Sequence, residues 1–115
     1  MRRQSAIVDS RITGYRAWTD GAGNSHESHA TLVSSGSRRI LVGANETSAN
    51  DADGLQCQEN VPALPVAADV TVQNNHFHAN GENAVDVKRC RNVTVRGNRF
   101  HGYRGKQSAP QGMRS

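Results

Sequence analysis

The sequence predicts an all-β chain wound as a coil of parallel strands, about four levels high and with no helix of note, and three observations carry that reading. The segment Asp69-Val-Thr-Val-Gln-Asn-Asn-His-Phe-His-Ala79 recurs as Asn92-Val-Thr-Val-Arg-Gly-Asn-Arg-Phe-His-Gly102, and weaker copies stand at Arg39–Ala49 and Gln4–Gly14. The equivalent positions Ile7, Val42, Val72 and Val95 are separated by 35, 30 and 23 residues, so the motif is fixed while the turns between copies absorb insertions. Apolar residues alternate with polar ones at period two, as in strands, and nowhere recur at helical spacing for long.

The repeats divide the chain into units 5–38, 39–68, 69–91 and 92–105, followed by residues 106–115, expected to be a disordered polar tail. Equivalent strands run in one direction, so coiling sets each about 4.8 Å above its predecessor. Ile40, Val70 and Val93 then form one interior file, Val42, Val72 and Val95 a second, and Ile12, Thr47, Phe77 and Phe100 a third. Asn45, Asn75 and Asn98 form an amide ladder at the bend, with Ser10 in that place in the first unit. A further strand lies in Ala30–Val33, Leu55–Gln58 and Ala84–Lys88. Its alternation predicts Leu32, Cys57 and Val87 inward, and Thr31, Gln56 and Asp86 outward.

The Asn-Val-Thr-Val-x-x-Asn-x-Phe motif, followed by Glu82-Asn-Ala-Val-Asp-Val-Lys88, resembles the right-handed parallel β-helix repeat proteins of the pectate-lyase-like superfamily. The resemblance spans about Ser5 to Tyr103 and specifies architecture far better than activity. It implies a right-handed solenoid, an extracellular or cell-surface setting, and a carbohydrate-active role such as a polysaccharide lyase. The alternative is a non-catalytic glycan-binding, adhesive or structural module. No leader-like apolar run follows Arg2 and Arg3, and no cap is visible at either end. The expectation is therefore a fragment of a longer β-helix, with uncapped end rungs open to self-association.

Composition bounds the partners. The formal net charge is +4, from fourteen Lys and Arg against ten Asp and Glu, which favours an anionic partner such as an acidic polysaccharide. Only five aromatic rings are present, two of them assigned inside, so base stacking is poorly served and nucleic acid is disfavoured. No stretch is long and apolar enough for membrane insertion. Cys57 points inward and Cys90 follows the equivalent strand one level on; two buried thiols are expected, with a disulfide as the alternative.

The residues with chemical potential gather at the polar turn before the Asp86 strand. Register stacks Glu27 with Glu82, Asp53 with Asn83, Gln56 with Asp86, and Gln58 with Lys88. Asp51 and Asp53, with Glu82 and Asp86 nearby, are candidate oxygen ligands for Ca²⁺. Gln56, Gln58 and Glu82 are candidate substrate contacts. By analogy with the lyases, Lys88, assisted by Asp86, is the candidate base that removes the proton beside a uronate carboxylate. Against this, acids beside Lys88 stabilise its charged form, and Asp and Asn are ordinary turn formers. His76, His78 and His101 repeat on outward positions as a paired-histidine alternative for a transition metal.

Overall fold

A computed structural model describes residues 4–103 and the backbone of 113–114. Three strands form each level. The first level holds β1 (Ser5–Val8), β2 (Arg11–Thr13) and, after a short insertion of β3 (Trp18–Thr19) and β4 (Ser25–His26), β5 (Thr31–Val33). The second holds β6 (Arg38–Gly43), β7 (Glu46–Ser48) and β8 (Leu55–Cys57); the third β9 (Ala67–Gln73), β10 (His76–His78) and β11 (Val85–Val87). The fourth holds β12 (Cys90–Arg96), β13 (Arg99–His101) and β14 (Met113–Arg114). Equivalent strands pair in parallel to give three sheets, β1-β6-β9-β12, β2-β7-β10-β13 and β5-β8-β11-β14. Within the predicted tail, β14 thus completes the fourth level by pairing with β11, while the other residues from 104 onward lie outside the described ones.

The corners have a shared backbone cause. A single residue adopts a left-handed conformation at Asp9, Ala44, Asn74 and Gly97, again at Gly14, Ala49, Ala79 and Gly102, and within the longest strands at Arg39, Asp69 and Asn92. Each is one residue at positive φ between extended neighbours, which turns the chain sharply without a long loop. Two such turns in each level, with a further bend inside the long strand from the second level on, shape the coil around its three sheets.

The interior files match the expected register: Ile7, Val42, Val72 and Val95 stack, as do Ile12, Thr47, Phe77 and Phe100. Burial is graded along the coil axis. Phe77, in the third level, is 1% exposed, while its stacking partner Phe100, in the fourth, is 38% exposed.

The Asn ladder forms, and each rung is satisfied twice. The Asn45 amide and backbone N–H both donate to Asn75 Oδ1 (3.1 and 3.0 Å), and those of Asn75 both donate to Asn98 Oδ1 (2.9 Å each). The second amide hydrogens reach the carbonyls of Ile7, Val42 and Val72. A second ladder at the next corner was not anticipated. Tyr15 N–H donates to Asn50 Oδ1, Asn50 to Asn80 Oδ1, and Asn80 Nδ2 to the Tyr103 hydroxyl. Burial raises the Tyr103 phenol to about 12, with the Asn80 hydrogen bond pulling the other way.

Two expectations are corrected. Thr31 pairs with Leu55 and Val33 with Cys57, so Thr31 and Val33 face inward while Leu32 points out and is 48% exposed. The cause is the parallel ladder itself: Ala30 and Thr31 donate to the carbonyls of Asp53 and Gly54, and this register outweighs the hydrophobicity of one leucine. Cys57 and Cys90 are joined as a disulfide, with Cα atoms 6.2 Å apart, in place of two buried thiols. Cys90 opens β12 opposite Ala67, at the edge of the interior where Cys57 ends β8.

Candidate functional site

The third corner, which leads into β5, β8 and β11, departs from the other two in chemistry. Close approach shapes it: a Cβ on Gly54 would lie 2.7 Å from a Phe77 ring carbon and 2.8 Å from the Ala84 carbonyl oxygen. That spacing leaves no room for a side chain. The stack here is His29, Asp53 and Asn83, and its polarity is opposite to the amide ladders. Asn83 N–H and Nδ2 both donate to Asp53 Oδ1 (2.9 and 3.1 Å), and Asp53 N–H donates to His29 Nδ1 (3.2 Å). Asp53 is 1% exposed, and its Oδ2 accepts from Gln56 Nε2 at 3.2 Å.

His29 bridges two carboxylates. Its Nδ1 lies 3.4 Å from Asp53 Oδ2 and its Nε2 lies 3.6 Å from Glu27 Oε2. Nδ1 accepts the Asp53 backbone N–H, and the same nitrogen stands within ion-pair range of the Asp53 carboxylate. Burial pushes the Asp53 carboxyl above its ordinary value and the Asp86 charge adds to this, while the Asn83 hydrogen bonds and His29 oppose it.

Glu82 completes the cluster. Burial pushes its carboxyl up to about 7; a hydrogen bond with Glu27 and the charges of Asp53 and Glu27 act in the same direction, and Lys88 opposes them. A carboxyl with this value is partly protonated at neutral pH and can take or give a proton there. Lys88 is exposed, with Nζ 3.6 Å from Asp86 Oδ2.

The predicted site residues fall into three groups. Glu82 and Lys88 reach the surface on one side of the cluster, and Gln58 is half-buried where β8 ends. Gln56 and Asp86 were expected on an open outward face; each is 3% exposed, which removes both from direct contact with a bound polymer. Asp51 and Asp53 do not converge. Asp51 accepts the Ala17 N–H at 2.7 Å and lies 3.7 Å from Arg16 Nη1, whereas Asp53 is tied to Asn83, Gln56 and His29. Neither belongs to a group with metal-ligand spacing among the described residues.

His29 escaped the sequence reading because of the one-residue register error in β5. With Leu32 placed inward, Ser28 falls opposite Asp53; with Val33 inward, His29 does. The signal was present in the pairing of Val33 with Cys57 and Val87, all small or β-branched residues ending their strands. Among the described residues, three buried acceptors at this corner, Gln56 Oε1, Asn83 Oδ1 and Asp86 Oδ1, have no hydrogen-bond partner. Buried polar atoms in folded proteins are mostly paired with protein or ordered water, so each of these three is open to a partner.

A family model described as a right handed beta helix region matches residues 5–109. The chain belongs to the right-handed β-helix family. That assignment agrees with the parallel sheets and fixes the hand of the coil, with each level one turn of the helix. No curated protein and no solved structure matches the chain.

Proposed function

We infer that this β-helix acts on, or docks, an anionic polysaccharide at the third corner, in the manner of the pectate-lyase-like superfamily. The observation that carries the reading is the acid cluster itself: Glu82 raised by burial and by the neighbouring Glu27 and Asp53, His29 between Glu27 and Asp53, and the Lys88 ammonium beside Asp86. In β-elimination from a uronate, a base removes the proton next to the carboxylate while a cation neutralises that carboxylate. Here the two tasks separate. Asp86 Oδ2 lies 3.6 Å from Lys88 Nζ, an ion pair that suits neutralisation of a substrate carboxylate and not proton abstraction. Glu82, ionised to a useful degree near neutrality, is the proton acceptor, and Glu27 and His29 are its positioning partners. Asp86 acts through Lys88. The half-buried Gln58 lies along the same strand ladder as a contact for the next sugar.

The disulfide supports an oxidising, extracellular or cell-surface setting. The net charge of +4 supports an acidic polymer. A non-catalytic glycan-binding module is the second reading, favoured by the burial of Gln56 and Asp86, which narrows the exposed chemistry to Glu82 and Lys88. Incubation with polyuronides, followed by the absorbance of unsaturated products, separates the two. Turnover that is lost in both Glu82→Gln and Lys88→Ala supports the lyase reading. Binding without turnover, weakened by Lys88→Ala alone, supports the binding module, and neither binding nor turnover overturns both.

A further inference from the structure

A second cluster lies on the outward face of the middle sheet, away from the acid corner. His76 and His78 are two residues apart on β10, so period two sets both on one face. Parallel register places Glu46 of β7 beside His76, and His101 of β13 beside His78. Four metal-ligating side chains therefore form a stepped patch across three consecutive levels, one on β7, two on β10 and one on β13. Diagonal contacts draw their tips together: His78 Nε2 lies 3.0 Å from Glu46 Oε2, and His76 Nε2 lies 2.5 Å from His101 Nε2. The His78 and His101 rings stack with centroids 4.9 Å apart and planes 8° from parallel.

We propose that Glu46, His76, His78 and His101 form a binding site for a divalent transition-metal ion of the zinc class. Ligand atoms of Glu46, His76 and His78 lie within 4.8 Å of one another. Donors around a tetrahedral ion bound at about 2.0–2.2 Å stand roughly 3.4 Å apart, so small side-chain rotations bring these atoms onto one centre. Imidazole with a single carboxylate is a donor set suited to Zn²⁺, Ni²⁺ and Cu²⁺, not to the all-oxygen preference of Ca²⁺. Arg11 engages Glu46 through Oε1 at 3.3 Å, so Oε2 is the oxygen turned toward the histidines. His76 and His101, whose nitrogens point at each other, gain a shared partner when an ion sits between them. An ion held this way ties β7, β10 and β13 together, fastening three levels of the coil from outside.

The test uses the protein without a histidine tag. Calorimetric titration with ZnCl₂ is expected to show one ion per chain, and Co²⁺ is expected to give visible d–d absorption of a four-coordinate site. His78→Ala and His76→Gln each weaken Zn²⁺ binding more than about tenfold, while His26→Ala, outside the patch, leaves it unchanged. Saturating Zn²⁺ raises the melting temperature of the wild-type chain and not of His78→Ala. Imidazole nitrogen resonances of the wild type, followed during titration, report the ligands without any substitution. Absence of binding at millimolar free Zn²⁺, or equal affinity in wild type and His78→Ala, overturns the proposal.

Discussion

Two corners of the same coil stack buried Asn and Asp residues level on level, yet they differ in how completely their hydrogen bonds close. At the Asn45-Asn75-Asn98 corner the Asn75 and Asn98 oxygens each accept two donors from the level before, the Asn45 oxygen accepts the Ser10 N–H, and each amide nitrogen finds a backbone carbonyl. The corner is neutral and complete. At the His29-Asp53-Asn83 corner an acid replaces the amide, the direction of donation reverses, and three buried acceptors nearby find no partner among the described residues. A repeat thus gains stability where identical residues stack, and it gains chemistry where one level departs from the rule.

The comparison can be broken from its structural side first. Replacing Asn75 with Ala strands the Asn45 donors and the Val42 carbonyl. With about 1–3 kcal/mol for each buried group left unsatisfied, the expected loss is about 3–5 kcal/mol by denaturant unfolding. The equivalent change at Asn98, in the less buried fourth level, is expected to cost roughly half as much. Equal costs at both would mean that the ladder does not draw on its depth in the stack. Next in size is the Cys57–Cys90 crosslink, which joins the end of β8 to the start of β12 across 33 residues. Reduction, or Cys57→Ala with Cys90→Ala, is expected to lower stability by about 3–4 kcal/mol in the chain-entropy estimate.

Smaller effects sharpen the chemical side. Folding raises the Glu82 carboxyl from 4.5 to about 7, so the folded chain holds more protons across that interval. The Glu82 contribution to stability is therefore fully present below about 4.5 and is lost as pH rises through about 7. Glu82→Gln removes this pH dependence, which is read as the difference between the two melting-temperature profiles. His76, whose ring burial holds it below its ordinary value, slopes the opposite way and cancels in that difference. The smallest expected effect is that of Asp53→Asn. It keeps the acceptor for Asn83 and removes one of the charges that raise Glu82, so the Glu82 titration moves to lower pH.

The fold was legible because it rests on repeated local choices. Val42, Val72 and Val95, and the asparagines that follow them, each occupy the same place in their level, so one correct alignment positions them all. The Asn50-Asn80 ladder was equally repetitive, but its ends are Tyr15 and Tyr103, which share no side-chain chemistry with asparagine and hid the pattern. The acid corner was legible only in part. Glu82, Asp53 and Lys88 were read from the stacking of the levels. His29 was lost to the β5 register, where Leu32 is the more apolar residue and still faces solvent. Depth was misread for Gln56 and Asp86, because alternation reports which way a side chain points and not whether that face is covered.

The Glu82 titration is the measurement closest to the centre of this account. Carboxyl ¹³C resonances followed from pH 3 to 9 are predicted to show one glutamate titrating near 7, and to show it shifted toward the ordinary carboxylate range in Glu27→Gln. Titration of every glutamate below about pH 5 in the wild-type chain would contradict a shared proton at the third corner, and with it the functional reading built on that corner.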